Sequence, residues 1–203
     1  MNGAEGGGSG AAAPPSMTRE TRERLRRRDP QAMAELFDRY FGEIYSVVHR
    51  LLGDTAAAED VTQELFLKVH RSLETYDPSR DPVPWLMTIA YNLCRDHWRS
   101  RGHKMGKRSQ PLAPGEPIAE VLSADGPPPD GDLIRRERER MLATALRSLP
   151  EEQRTIVLLH DYQGLKHEEI AEIVGATAVA VRKRYSRALR NLQEELKDKD
   201  IGR

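Results

Sequence analysis

Apolar residues recur at helical spacing in two separate blocks of this chain. In the first, Asp29-Pro30 reads as an N-cap followed by proline at the first helical position. Met33, Leu36, Phe37, Tyr40, Phe41, Ile44, Val47, Val48, Leu51 and Leu52 then follow at steps of three and four, which predicts a helix with one wide apolar face. Gly53 stops it. Asp54 or Thr55 starts a second helix, with Val61, Leu65, Val69 and Leu73 inward. Tyr76 to Pro82 reads as a loop, in which Asp81-Pro82 repeats the cap-then-proline signal. A third helix follows, burying Trp85, Leu86, Ile89, Ala90, Leu93 and Cys94. A short Arg-rich arm, 17–28, precedes the block.

The second block is also helical. One helix is expected over Asp132–Leu149 and another over Pro150–Tyr162, with Ile156, Val157 and Leu159 buried. Gly164 breaks the chain before a short helix, His167–Val174, whose inner residues are Ile170, Ala171 and Ile173. After Gly175 a long helix runs from about Ala178 to Leu196, with Val181, Tyr185, Ala188, Leu189, Leu192 and Leu196 inward. Strand alternation is absent, so the expected class is all-α: two small helical domains joined by a flexible linker, the second containing a helix-turn-helix.

Two stretches lack either period. Residues 1–16 are mostly Gly, Ala, Ser and Pro with little to bury, and read as a disordered tail. Residues 102–131 hold six Pro and five Gly in 30 positions, which marks a linker between domains at 17–101 and 132–203. As a flexible coil it would span on average about 30 Å.

Composition narrows the class. The chain has 203 residues, and no apolar run approaches the ~20 residues of a membrane span, so membrane insertion is not expected. The start of the chain does not read as a secretion signal. A single cysteine, Cys94, forms no internal disulfide and supports no Cys-rich zinc site, which fits a cytoplasmic location. Lys+Arg and Asp+Glu both number 32, giving zero net charge, which by itself argues against a nucleic-acid partner. The distribution reverses that argument. Arg182 to Arg190 holds five basic residues and no acid, Arg95 to Arg108 six basic residues against Asp96 alone, and Asp54 to Glu64 four acids without Lys or Arg. A local stripe, not the sum, decides phosphate contact.

Three stretches carry candidate chemistry. Gly164–Leu192 has the helix-turn-helix pattern, in which Ala171 lets the helices approach and Gly175 frees the turn. With Val181 and Tyr185 inward, Arg182, Lys183, Arg184 and Arg187 face outward toward base edges, and Arg190 lies one turn later, suited to phosphate. Tyr76–Arg108 joins a turn-rich loop to a helix carrying Asn92, Arg95, His97, Trp98 and Arg99, a mixture of rings and cations that suits single-stranded DNA. Trp85 fits ordinary core; Trp98 fits core and base stacking equally. Gly53–Val69 places acids at a helix start, which is stabilising in itself. Phe66-Leu67 beside Gln63 and Glu64 equally suits a protein-docking surface. His160-Asp161 with His49, His97 or His167 raises the alternative of a metal hydrolase. Adjacent His-Asp pairs arise by chance, and core packing explains these helices, so no catalytic residue, metal or cofactor is expected.

Together the stretches resemble the extracytoplasmic-function (ECF) sigma factors of bacterial RNA polymerase. The first block, AAAEDVTQELFLKVHRSLETYDPSRDPVPWLMTIAYNLCRDHWRSR, is similar to the family's second region. Its diagnostic strings are the acid pair before Val-x-Gln-Glu-x-Phe and the later Trp-Leu-x-x-Ile-Ala-x-Asn. The second, LPEEQRTIVLLHDYQGLKHEEIAEIVGATAVAVRKRYSRALRNL, is similar to the fourth region. The resemblance implies a factor without an enzymatic centre that binds core RNA polymerase and promoter DNA and promotes melting. It implies that Asp60, Gln63, Glu64 and Phe66 dock on the polymerase clamp. Tyr76, Asp77, Ser79 and Arg80 fall in the loop that pockets a flipped base of the −10 element, and Asn92, Arg95 and Arg99 on the helix facing that element. Arg182, Lys183, Arg184 and Arg187 match the −35 recognition helix. The family commonly pairs with an anti-sigma factor, though no residue here identifies one. The alternative, a stand-alone helix-turn-helix regulator, needs only residues 132–203.

The sequence departs from the family pattern at three places. Lys166 stands where many members have a capping Ser or Thr, which leaves His167 or the backbone to satisfy the first amides. Lys183 stands where Ser is frequent. Ala178-Val179-Ala180 replaces a more polar helix start, which shifts reading toward thymine methyls or DNA shape.

Overall fold

The computed structural model describes residues 16–105 and 131–201. The expectations of a disordered tail and of a linker lie outside these residues, except that 102–105 continue a helix and 131 begins one. Every regular element among the described residues is helical: α1 (Arg19–Arg26), α2 (Pro30–Leu52), α3 (Thr55–Arg71), a 3₁₀ turn (Leu73–Thr75), α4 (Pro82–Met105), α5 (Gly131–Ser148), α6 (Glu151–Val157) running into a π-helical turn (Leu158–Tyr162), α7 (His167–Val174) and α8 (Ala178–Ile201).

The sequence signals explain most helix ends. Asp29 accepts the Ala32 amide at 2.9 Å and Pro30 opens α2. Asp54 accepts the Ala57 amide at 2.9 Å and starts α3. Gly53 sits at φ 68°, where its N–H closes α2 on the His49 carbonyl at 2.8 Å. A side chain in that left-handed conformation would strain the corner. The Arg-rich arm forms α1, capped by Thr18, and buries Met17 before the cap and Leu25 within the helix. Arg28 ends it at φ 62° and donates to the His70 carbonyl at 3.1 Å and to Glu74 Oε2 at 3.1 Å. A cation thus satisfies carbonyls at the C-terminus of α3, where the helix dipole favours positive charge.

Helices α2, α3 and α4 enclose Leu36, Tyr40, Ile44, Val48, Leu65, Val69, Leu86, Ala90 and Cys94. Burial pushes the Cys94 thiol up to about 12, so it stays protonated and acts as a small apolar filler. The core does not stop at the first block. Ile156, Leu158, Leu159, Leu165, Ile170, Ile173 and Val181 belong to the same buried cluster, and α7 packs on α4. A smaller cluster, Ala145, Leu149, Val157, Ala188 and Leu192, holds α5, α6 and α8 together.

Polar contacts edge the seam between the blocks. Arg154 Nη1 donates to the Leu51 carbonyl at 2.8 Å and Nη2 to the Leu149 carbonyl at 3.3 Å. The Arg50 guanidinium lies 3.9 Å over the Tyr162 ring, and Arg80 pairs with Glu172 at 3.6 Å.

Several sequence expectations are corrected. Phe37 and Phe41, placed on the buried face of α2, are 44% and 36% exposed, and Leu189, placed inward on α8, is 41% exposed. The single helix expected over Pro150–Tyr162 is α6 followed by a π-helical turn, in which the Gln163 amide reaches back to the Leu158 carbonyl at 3.1 Å. That wider turn keeps both Leu158 and Leu159 buried.

Leu65 is fully buried in the first block; Leu65→Ala is expected to cost about 2–5 kcal/mol, read as a lower urea midpoint by circular dichroism. Arg154→Met removes two donors to backbone carbonyls across and beside the seam. It should raise the radius of gyration in small-angle scattering without loss of helical signal, because each charge-assisted bond contributes about 1.5–3 kcal/mol.

Candidate nucleic-acid and polymerase interfaces

Helix α8 carries the strongest charge asymmetry. Thr177 caps it, its Oγ1 accepting the Ala180 amide at 3.2 Å. Val181, Ala188 and Leu192 are buried. Tyr185 is half-buried, its ring edge-on to His160 and His167, and its hydroxyl donates to Asp161 Oδ1 at 2.7 Å. Burial, and then the bond to Asp161, push the Tyr185 phenol up to about 12. This anchoring leaves Val179, Arg182, Lys183, Ser186, Arg187 and Arg190 exposed. Their spacing of three and four makes one continuous face. Arg184 departs from the outward set: it is turned toward α6 and pairs with Glu152 at 3.3 Å. Arg182 pairs loosely with Glu168 at 3.9 Å.

Before α8, Gly175 adopts φ 67° and makes the turn the helix-turn-helix requires. At the start of α7 the amide of the N-cap residue Lys166 is satisfied within the helix. It donates to Glu169 Oε2 at 2.8 Å, so the helix supplies a capping group from its own first turn. His160 and His167, considered as metal-hydrolase residues, stack at 4.4 Å, and His160 Nδ1 lies 2.8 Å from the Leu165 carbonyl. They pack the turn beneath Tyr185.

The loop between the 3₁₀ turn and α4 is built from its own hydrogen bonds. Asp77 Oδ1 accepts the Ser79 amide at 2.9 Å, and hydrogen bonds from Ser79 hold the Asp77 carboxyl below the usual carboxylate range. Tyr76 is buried, packs against Trp85 with ring centroids 5.0 Å apart and the rings tilted by 35°, and donates its hydroxyl to the Arg80 carbonyl at 2.8 Å. Its ring is part of the wall of the loop. Asp77, Ser79 and Arg80 are exposed. A cavity of about 180 Å³ lies here, lined on one side by Thr75, Asp77, Arg80 and Trp85 and on the other by Glu169 and Glu172 of α7. On α4, Arg95 and Arg99 are exposed and Asn92 half-buried, at the i, i+3, i+7 spacing of one face. Trp98 is half-buried against the core, so its ring is part of the packing.

The third surface joins α2 and α3. Asp60, Gln63 and Glu64 are exposed and Phe66 half-buried. Phe66 meets Phe37 at 4.9 Å and Phe41 at 5.8 Å, and Phe41 lies 6.3 Å from Tyr45. With Leu67, 59% exposed, they form an aromatic patch beside acids. Phe37, Phe41 and Tyr45 were absent from the expected site. Their i, i+4, i+8 run of aromatics along the edge of an over-wide apolar face is the signal that identifies them.

Comparison with known proteins accounts for both halves of the chain. The model for sigma-70 region 2 matches residues 36–104, and that for sigma-70 region 4 matches residues 139–192. A probable RNA polymerase sigma factor, RfaY of Xanthomonas campestris, is 36% identical over 70% of this chain, which spans only 35% of that relative's length. The ECF RNA polymerase sigma factor SigK of Mycolicibacterium vanbaalenii is 31% identical, with 91% of this chain and 93% of the relative covered. Among solved structures, the sigma factor RpoE of Bartonella quintana, in complex with the anti-sigma factor NepR, shares the fold with a TM-score of 0.66 at 24% identity, covering 81% of this chain and 95% of that one. A stand-alone helix-turn-helix regulator would leave the region 2 match unexplained. Both regions, in this order and with this arrangement of exposed faces, place the chain in the extracytoplasmic-function sigma factor family of bacterial RNA polymerase, whose members are transcription initiation factors.

Proposed function

We propose that the three surfaces divide the work of initiation. The Val179–Arg190 face of α8 enters the major groove of a duplex −35 element, Arg182, Lys183 and Arg187 toward base edges and Arg190 toward phosphate. The Asp77–Arg80 loop takes up an unstacked base of the −10 element, with Asn92, Arg95 and Arg99 along the strand. The Asp60–Phe66 surface, extended by Phe37 and Phe41, docks on the core polymerase clamp. The observation that carries this reading is the exposed face of α8, six residues at helical spacing with four cations and no acid.

The energetics assign melting to the assembly. Extruding a base costs a few kcal/mol, and stacking it returns about 1–3 kcal/mol. The factor alone is near balance, and contacts with polymerase tip it. In the arrangement described above, Glu169 and Glu172 face the base-binding loop and Arg80 is engaged with Glu172. A DNA strand would meet two carboxylates there, so the blocks separate at the α4–α7 seam before the −10 strand enters. Partners are core polymerase, promoter DNA and, by the example of NepR-bound RpoE, an anti-sigma factor. The work takes place in the cytoplasm and requires neither a catalytic centre nor a cofactor within the factor.

Arg182→Ala combined with Arg187→Ala is expected to lower transcription from a −35-dependent promoter at least tenfold while core-polymerase pull-down stays unchanged. Phe66→Ala combined with Gln63→Ala is expected to do the reverse, weakening pull-down about tenfold while binding of the isolated factor to duplex −35 DNA is retained. Unchanged pull-down in the second pair overturns the docking assignment.

A further inference from the structure

Val179 occupies an unusual place on α8. It lies in the first turn, just after the Thr177 cap, and is 54% exposed. Its neighbours Ala178 and Ala180 are turned half inward. Along the exposed face it stands three and four residues before Arg182 and Lys183, and seven and eight before Ser186 and Arg187. It is therefore the one large apolar side chain at the leading end of a cationic face. Folding does not account for it. A β-branched residue is a weak helix former, and an exposed valine gains little from burial. Single exposed apolar residues are common on protein surfaces. What sets this one apart is its alignment with the base-reading cations, at the end of the helix that reaches deepest into the groove.

The chemistry of the position is restrictive. Valine has no donor or acceptor, so it cannot hold phosphate or read a hydrogen-bonding base edge. The only apolar group that a base pair presents in the major groove is the C5-methyl of thymine. Cytosine presents an N4 amine beside a bare C5–H, and an apolar side chain covering that amine would strip its water without replacing the bond. The purines present N7 and O6 or N6, which suit the arginines one turn later. Val179 to Arg187 spans about 12 Å of helix, comparable to the width of the major groove, so one insertion lets both ends of the face touch bases.

We infer that Val179 is a specificity-determining residue that reads the C5-methyl of one thymine in the −35 element, next to the base pairs read by Arg182 and Lys183. This rests on the assignment of α8 as the −35 recognition helix and adds a base preference to it. It also gives a role to the apolar start of the helix, one that neither Ala178 nor Ala180 can fill from its half-inward position.

The test uses the full chain with core polymerase. A −35 element is first selected from a randomised promoter library by the reconstituted holoenzyme. Each thymine in it is then replaced singly by deoxyuracil, which removes only the methyl group, and binding is measured for the natural chain and for Val179→Ala. One thymine should show a loss of about three- to fivefold with the natural chain, the worth of roughly one buried methyl, and no loss with Val179→Ala. On the uracil template the two proteins should bind equally, which also shows that the variant is folded. A selected element without thymine, the absence of any methyl effect, or an equal effect in both proteins overturns the assignment of Val179. Arg182→Ala with Arg187→Ala, run on the same templates, separates the two levels of argument. If it abolishes −35 dependence and the methyl effect is absent, only the role of Val179 fails. If −35 dependence survives it, the recognition-helix reading falls and this inference with it.

Discussion

The seam in which α7 packs on α4 is the contact on which the rest of the arrangement depends. Helix α7 has only eight residues, yet Ile170, Ala171 and Ile173 are all buried. Its apolar side is spent on packing, while Glu169 and Glu172 face the loop of the first block and Glu168 lies exposed beside α8. Because α7 is also locked to α8 through the turn at Gly175, seating α7 aims α8 at the same time. One short helix thus decides where a basic face looks out and where an acidic wall looks in. The apolar core that runs through the seam makes the packed form cohesive, since burial stabilises by roughly 25 cal/mol for each Å² withdrawn from water. The polar edge of the seam, Arg154 on the Leu51 carbonyl and Arg50 over Tyr162, sets its register.

A chain of zero net charge binds an anionic polymer only if its charges are sorted by face, and the packing does the sorting. Glu152 and Glu168 pair from the flank with Arg184 and Arg182 of α8 at 3.3 and 3.9 Å. Such exposed pairs are individually weak, commonly under about 1 kcal/mol. They restrain the arginines without competing seriously against phosphate or a guanine edge. The same reasoning applies to Arg80 and Glu172, a single exposed pair across the cavity that adds little to the cohesion of the seam. A further group of acids, Asp60 and Glu64, is exposed on the α2–α3 surface beside its aromatic patch.

How far the sequence could be read follows from what kind of signal each feature leaves. Helix starts at Asp29, Asp54 and Asp81 are local events, since a carboxylate and the amide two or three residues on are enough to make them. The helix-turn-helix was legible for the same reason: its glycine, its small residue and its basic face lie within thirty positions. The exposure of Phe37 and Phe41 was not, because helical period shows how wide an apolar face is and not how much of it a neighbour covers. Tyr76 illustrates the converse. A tyrosine in a polar loop reads as an available ring, but Trp85, nine residues on, comes back to cover it. Arg184 lies among four other cations in sequence, and only the position of Glu152 on α6 turns it aside.

The sequence by itself determined most of the helices, the aspartate caps that start α2, α3 and α4, the two blocks and the clustering of cations on α8, because each of these depends on residues within a few turns of one another. The tertiary structure alone decided that the two blocks share a core, that acids of the second face the loop of the first, and which aromatic residues stay in water. Those outcomes depend on contacts between residues about a hundred positions apart, such as Arg154 with Leu51, and no local period records which distant surface a helix will meet.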